Sequence, residues 1–370
     1  MSKFSIIFFS KELSCLYRYL KSRKSFIREN NVDKNKFLEL LKEVPKAELH
    51  LHIEAVPTIN TIKSLYAKCN RKEISDEEIS ELFTYDDLNG FIQSFVKIQN
   101  MYTDVNDFNL VFDDLETYLV QNGIVYTEVF FAPTAFLKKG FDYKQMVEIF
   151  EKRIKEIKEK HNITIKLIMD VSRTFGLENA LHNYSLLKEN PCEDIIGIGL
   201  GGAESKGPAK EYAEVFDKAF NDGYKVVAHA GEDVGPESIR DSINLLHSMR
   251  IGHGLTAFKD EELMQEMSDK KIPIEICITS NTFTKAIIQK ASEHPVKMYY
   301  EKGIPVSINT DDPVFFKTTL LDELWVCHEE IGFTMDEIKE LIKYSFTTSF
   351  LSDEEKKQWC EKVDSSFPNE

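Results

Sequence analysis

Lys46-Ala47-Glu48-Leu49-His50-Leu51-His52 is a short run in which apolar and polar residues alternate. Alternation is the period of a β-strand, whose side chains at i and i+2 share a face. His50 and His52 therefore project to one side at the end of the run, placed to hold a single ion. Further candidates for the same ion follow along the chain. They are His229-Ala230-Gly231-Glu232, Gly252-His253-Gly254 and Asn309-Thr310-Asp311-Asp312-Pro313, each close after a short apolar run.

Those runs set the expected fold. Strand-like segments lie at 47–53, 125–131, 165–171, 195–200, 225–229, 249–251, 272–278 and 304–308. Charged segments of helical period, such as 143–160, 209–222, 236–246 and 260–270, separate them. Strands alternating with helices predict a parallel α/β architecture. Eight units over 370 residues suit a closed (β/α)8 TIM barrel better than an open sheet. Residues 58–121, between the first two strands, read as a helical insertion near the barrel mouth. Residues 333–365 read as added helix docked on the barrel. The expected organisation is an N-terminal helical extension over 1–44 and one barrel domain over 45–370.

Composition narrows the partners. A hydrophobic content of 42% supports a large core, and a net charge of −16 gives no attraction for phosphate backbones. Nucleic acid is therefore not an expected partner. No run approaches membrane-spanning length, so no membrane partner is expected either. Phe4-Ser5-Ile6-Ile7-Phe8-Phe9 is apolar but stops at Lys11 and Glu12, short for a secretory signal. Six cysteines stand far apart with no Cys-x-x-Cys pair, as in a reduced, cytoplasmic protein. Oligomeric state is left open.

The unusual residues fall where barrel strands end, the face on which such barrels carry their sites. One strand-end histidine is commonly a core residue, and paired aspartates before proline can merely cap a turn. Four such clusters in register with four strands point to a catalytic metal. Imidazole and carboxylate donors suit Zn2+, one per chain, with an open position for water. His52-Ile53-Glu54 imitates the His-x-Glu of cytidine-type deaminases, but Pro191-Cys192 is followed by Ile195 where a second thiolate is needed. His-Glu-x-x-His is absent, which disfavours a zincin peptidase.

With Pro45-Lys46-Ala47-Glu48-Leu49-His50-Leu51-His52, His229-Ala230-Gly231-Glu232, Arg250-Ile251-Gly252-His253-Gly254, Cys277-Ile278-Thr279-Ser280-Asn281 and Asn309-Thr310-Asp311-Asp312-Pro313 in this order, the chain resembles the adenosine deaminase family. The resemblance covers about Pro45 to at least Glu323 and is specific in its motif set. It implies zinc ligation by His50, His52, His229 and Asp311. It implies that His253 and Asp311 orient the attacking water and take up its proton, and that Glu232 protonates ring N1 of a 6-aminopurine. Asp312 would contact N7, the Gly202 N–H would contact N3, and Glu54 would reach sugar hydroxyls. The implied reaction is hydrolytic deamination of adenosine or 2′-deoxyadenosine to inosine or 2′-deoxyinosine plus ammonia, a step of purine metabolism with a small-molecule nucleoside as partner.

Departures bear on the substrate. Glu54-Ala55 stands where adenosine-selective members carry Asp-Gly, and Gly199-Leu200-Gly201-Gly202 where Asp-Leu-Ala-Gly is common. The second change suggests a roomier or less acidic wall. Arg173 after the third strand would pair with a carboxylate on an extended substrate, as in the aminodeoxyfutalosine deaminases of menaquinone synthesis. Gly252 takes the place of an Asp common in adenine deaminases, which lowers free adenine as substrate. A non-catalytic nucleoside-binding protein is a further alternative, disfavoured because every ligand and acid position is filled.

Overall fold

Eight parallel strands, all hydrogen-bonded in chain order, form the sheet: β1 (Lys46–His52), β2 (Ile124–Phe131), β3 (Thr164–Asp170), β4 (Ile195–Leu200), β5 (Lys225–Ala230), β6 (Arg250–His253), β7 (Ile274–Ile276) and β8 (Val306–Ile308). The protein is described by a computed structural model over residues 33–85, 88–284 and 287–368. β1 meets the chain beyond β8 through a parallel bridge between Leu51 and Asp311. His52 N–H donates to Asp311 O at 3.0 Å, and Asp311 N–H donates to His50 O at 3.1 Å. The ring thus closes at its C-terminal rim, as expected of a (β/α)8 TIM barrel.

Strand limits differ from expectation where backbone chemistry intervenes. β7 and β8 begin only after Pro273 and Pro305, whose missing N–H groups cannot join a ladder. Beyond β7 the chain does not extend to 278 but turns into the helix Ile278–Thr284. His253 is the last residue of β6 rather than a residue following it.

Returning helices start at side chains that accept a first-turn N–H. Asp142 accepts from Gln145, and Asp260 accepts from Leu263. The insertion after β1 is helical, with Ile59–Asn70, Asp76–Leu82, Leu88–Gln99 and Phe108–Gln121. The expected N-terminal extension lies outside the described residues up to 32. From there, helix Lys34–Lys42 buries Phe37 and Leu41, with Phe37 edge-on to Trp325 at 5.2 Å. The C-terminal stretch forms two helices, Met335–Thr347 and Asp353–Ser366. Between them Phe350 packs on the inner cluster of Phe130, Ile168 and Val227, with the Arg250 guanidinium 3.9 Å from its ring centre. Phe350 thus covers the inner cluster beside Arg250, the first residue of β6. Among the described residues, no helix is long and apolar enough to cross a membrane.

Candidate active site

The strand ends deliver the histidines and aspartates to one spot. His50 and His52 end β1, His229 lies in β5, His253 ends β6, and Asp311 follows β8. Two of these residues sit in left-handed backbone, His253 at φ 62° and Asp311 at φ 66°. That conformation costs a side-chain-bearing residue about 1–2 kcal/mol and persists only where surrounding bonds hold it. The two rim hydrogen bonds with β1 hold Asp311.

Ligand atoms of His50, His229, His253 and Asp311 all lie within 4.8 Å of one another. His52 joins them, its Nε2 3.2 Å from His229 Nε2 and 3.3 Å from Asp311 Oδ1. His50 Nε2 is 3.5 Å from the same Asp311 oxygen. The donor set therefore contains five groups, among them the expected His50, His52, His229 and Asp311.

Its protonation pattern fits a cation. His50 Nδ1 donates to Glu275 Oε2 at 2.7 Å, and Glu275 Oε1 accepts from Arg250 Nε. Burial would raise the Glu275 carboxyl, but Arg250 and His50 hold it below its ordinary value, so it stays an acceptor. On a neutral His50 the lone pair therefore lies at Nε2, which is buried and has no hydrogen-bond partner among the described residues. A carboxylate behind a histidine is the usual way a protein orients a metal ligand. Gly252 leaves the ring its space: a Cβ there would lie 2.8 Å from His50 Cε1.

Beside the donor set, Glu232 Oε2 stands 3.8 Å from His253 Nε2. Burial, with the nearby charges of Asp311 and Glu204, pushes the Glu232 carboxyl up to about 8. Its loop is held by Glu204, which accepts from the N–H groups of Gly231 at 2.7 Å, Glu232 at 3.0 Å and Asp233 at 3.3 Å. Asp312 is buried, and its Oδ1 has no hydrogen-bond partner among the described residues. Burial and the adjacent Asp311 charge hold the Asp312 carboxyl well above the usual range.

One cavity of about 910 Å³, mouth included, joins these groups. His52, His229, Glu232, His253, Asp311 and Asp312 line its floor. Phe91, Ile92, Phe95 and Val96 of helix Leu88–Gln99 also line it, as do Asp170, Ser172, Thr174 and Gly202.

Two residues expected at the substrate lie elsewhere. Glu54 is buried behind the rim, where its Oε1 accepts the Ala132 N–H at 2.6 Å. Arg173 is buried, and its guanidinium donates to the carbonyls of Gly207 and His229. Gly199 in β4 and Gly201 just after it do not make the wall roomier, because the protein's own side chains fill the space. A Cβ at Gly199 would lie 2.7 Å from Phe130, and one at Gly201 would lie 2.2 Å from Asp170 Oδ2. Asp170 accepts from the N–H groups of Ser172 at 2.6 Å and Gly201 at 3.0 Å. Sequence reasoning assigned no role to Glu204, Glu275 or Asp170. Each acts through a partner at least a strand away or through the backbone, and only Asp170 carries a local signal, as the last residue of a strand.

The adenosine deaminase family model matches residues 45–366. An adenine deaminase of Psychrobacter cryohalolentis is 32% identical, covering 88% of this chain and 98% of its own length. An adenosine deaminase of Clostridium kluyveri is also 32% identical, over 86% of this chain and 92% of its own. The crystal structure of adenine deaminase from Arthrobacter aurescens superposes with a TM-score of 0.81 at 27% identity, covering 87% of this chain and 98% of that one. With the family match spanning all five motif stretches and the barrel that carries them, the chain belongs to the adenosine deaminase family of metal-dependent hydrolytic deaminases.

Proposed function

We propose that this protein is a zinc-dependent deaminase of 6-aminopurine nucleosides, acting on adenosine and 2′-deoxyadenosine. The observation that carries the reading is the pairing of a carboxyl only 12% exposed, Glu232, with a four-imidazole and carboxylate cluster at one cavity. His50, His52, His229 and Asp311 would hold the ion, a donor set without thiolate that suits zinc with an open position. Bound there, zinc would polarise a water and lower its pKa from about 15.7 to about 7.

The protein's residues supply the rest. Glu232, whose carboxyl is pushed up to about 8, would hold at neutral pH the proton destined for ring N1. As the water oxygen bonds to C6, the C6–N1 π pair moves to N1 and takes the Glu232 proton. The ionised Asp311 accepts from Ser280 Oγ at 2.7 Å and is the group placed to take a proton from the water. The C6–N6 bond then breaks. Of the two water protons, one leaves with ammonia and the other restores Glu232. Asp312, kept protonated by burial and the adjacent Asp311 charge, has an Oδ1 without a hydrogen-bond partner among the described residues and would donate to N7.

Selectivity lies in the outer cavity. It continues past the floor, with an apolar face along one side and Asp170, Ser172 and Thr174 on the other, a lining that suits a sugar. Among the described residues, no Lys or Arg lines it, which disfavours a phosphate or carboxylate on the substrate. Arg173 is committed to backbone, so the aminodeoxyfutalosine alternative loses its cation. Free adenine is the second reading, favoured by the relatives named adenine deaminase. A kinetic panel of adenosine, 2′-deoxyadenosine and adenine separates the two. The nucleosides are expected to show the higher kcat/KM; adenine exceeding both by about tenfold (~1.4 kcal/mol) overturns the nucleoside preference.

A further inference from the structure

His253 contacts a chain of polar side chains that the proposed reaction does not use. Its Nδ1 lies 3.2 Å from Asn281 Nδ2, and Asn281 Oδ1 lies 3.2 Å from His294 Nε2. His294 Nδ1 in turn lies 3.1 Å from the Val296 backbone N–H. Asn281 is fully buried and His294 is 2% exposed.

The direction of the chain follows from its backbone end. A backbone N–H only donates, so His294 Nδ1 is the acceptor. Burial pushes the His294 imidazole down to about 3, so the ring is neutral and its single proton sits on Nε2. That proton requires an acceptor, which places Asn281 Oδ1 towards His294 and Nδ2 towards His253. The amide can only donate from Nδ2, so His253 accepts at Nδ1 and carries its proton on Nε2. His253 Nε2 faces two acceptors, Glu232 Oε2 at 3.8 Å and Asp311 Oδ2 at 4.0 Å.

We infer that Asn281 and His294 are positioning residues that lock His253 in its Nε2–H tautomer, so that His253 presents a donor to the attacking water and no lone pair to the ion. This rests on the deaminase reading for its catalytic consequence, but not for the tautomer itself. It divides the work expected of His253 and Asp311: His253 orients the water by donating, and Asp311 takes the proton. It also chooses among the five groups of the donor set. With Nδ1 occupied and Nε2 protonated, His253 leaves ligation to His50, His52, His229 and Asp311.

The test is the tautomer in the zinc-loaded enzyme, read by NMR of the protein labelled with 15N-histidine. His253 is expected to carry its proton on Nε2; a proton on Nδ1 overturns the inference whether or not the protein deaminates anything. Asn281→Asp adds the catalytic readout. It keeps the shape and the acceptor for His294, but faces His253 Nδ1 with an acceptor and draws the proton there. Zinc content and melting temperature should stay near wild type and KM within about threefold, while kcat falls by about 10²–10⁴-fold. His294→Gln, which keeps an N–H for Asn281, should retain kcat to within about tenfold, and His294→Phe should not. Wild-type kcat in Asn281→Asp or in His294→Phe would overturn the relay.

Discussion

The floor and the mouth of the cavity are built by different means. At the floor, four of the reactive groups are backed by another buried side chain. Glu275 and Arg250 stand behind His50, Ser280 behind Asp311, Asn281 behind His253, and Glu204 under the loop of Glu232. At the mouth, helix Leu88–Gln99 presents Phe91, Ile92, Phe95 and Val96, and Phe91 and Phe95 pack on each other and on Phe316 and Phe315. Directional bonds fix where a proton or lone pair points, whereas apolar packing fixes only a shape. The contrast teaches that the chemistry is set by a few named contacts, while the preferred substrate is set by diffuse packing.

Three substitutions probe that contrast, taken from the largest expected effect downwards. Glu232→Gln removes the proton donor and should lower kcat by about 10²–10⁴-fold while zinc remains bound. In the wild type the donor must be protonated. Since its carboxyl is pushed up to about 8, kcat/KM should decline as pH rises through that value. Turnover in the variant near the wild-type rate would remove Glu232 from the reaction. Glu275→Gln touches neither substrate nor ion, yet it withdraws the charge behind His50. Competition with a chelator should show zinc affinity down by about 10–100-fold. Unchanged affinity would mean that the floor is less directional than the contacts imply. Phe95→Ala should act at the mouth alone, raising KM by about 3- to 30-fold with kcat nearly unchanged. An equal fall in kcat would erase the distinction between the two regions.

The same division marks how far the sequence could be read. His50 and His52 were legible because a two-residue period fixes which face they share, and β1 keeps that period. The barrel was legible because its strands and helices alternate in pattern. Glu54 and Arg173 were misplaced at the substrate because their partners, Ala132 N–H and the carbonyls of Gly207 and His229, lie 34 to 78 residues away. No local pattern encodes such a pairing. Gly199 and Gly201 looked like vacant wall in the sequence, but Phe130 and Asp170 occupy the space that a missing Cβ frees. Asn281 lay inside a recognised motif, yet its task depends on His294, thirteen residues on and around a turn.

The most direct measurement is ammonia release from adenosine by the enzyme carrying one zinc per chain, followed together with the loss of adenosine and the appearance of inosine. One ammonia per inosine is expected, with activity lost on chelation and restored by zinc. A zinc-loaded enzyme that releases no ammonia from adenosine, 2′-deoxyadenosine or adenine would contradict the proposed function.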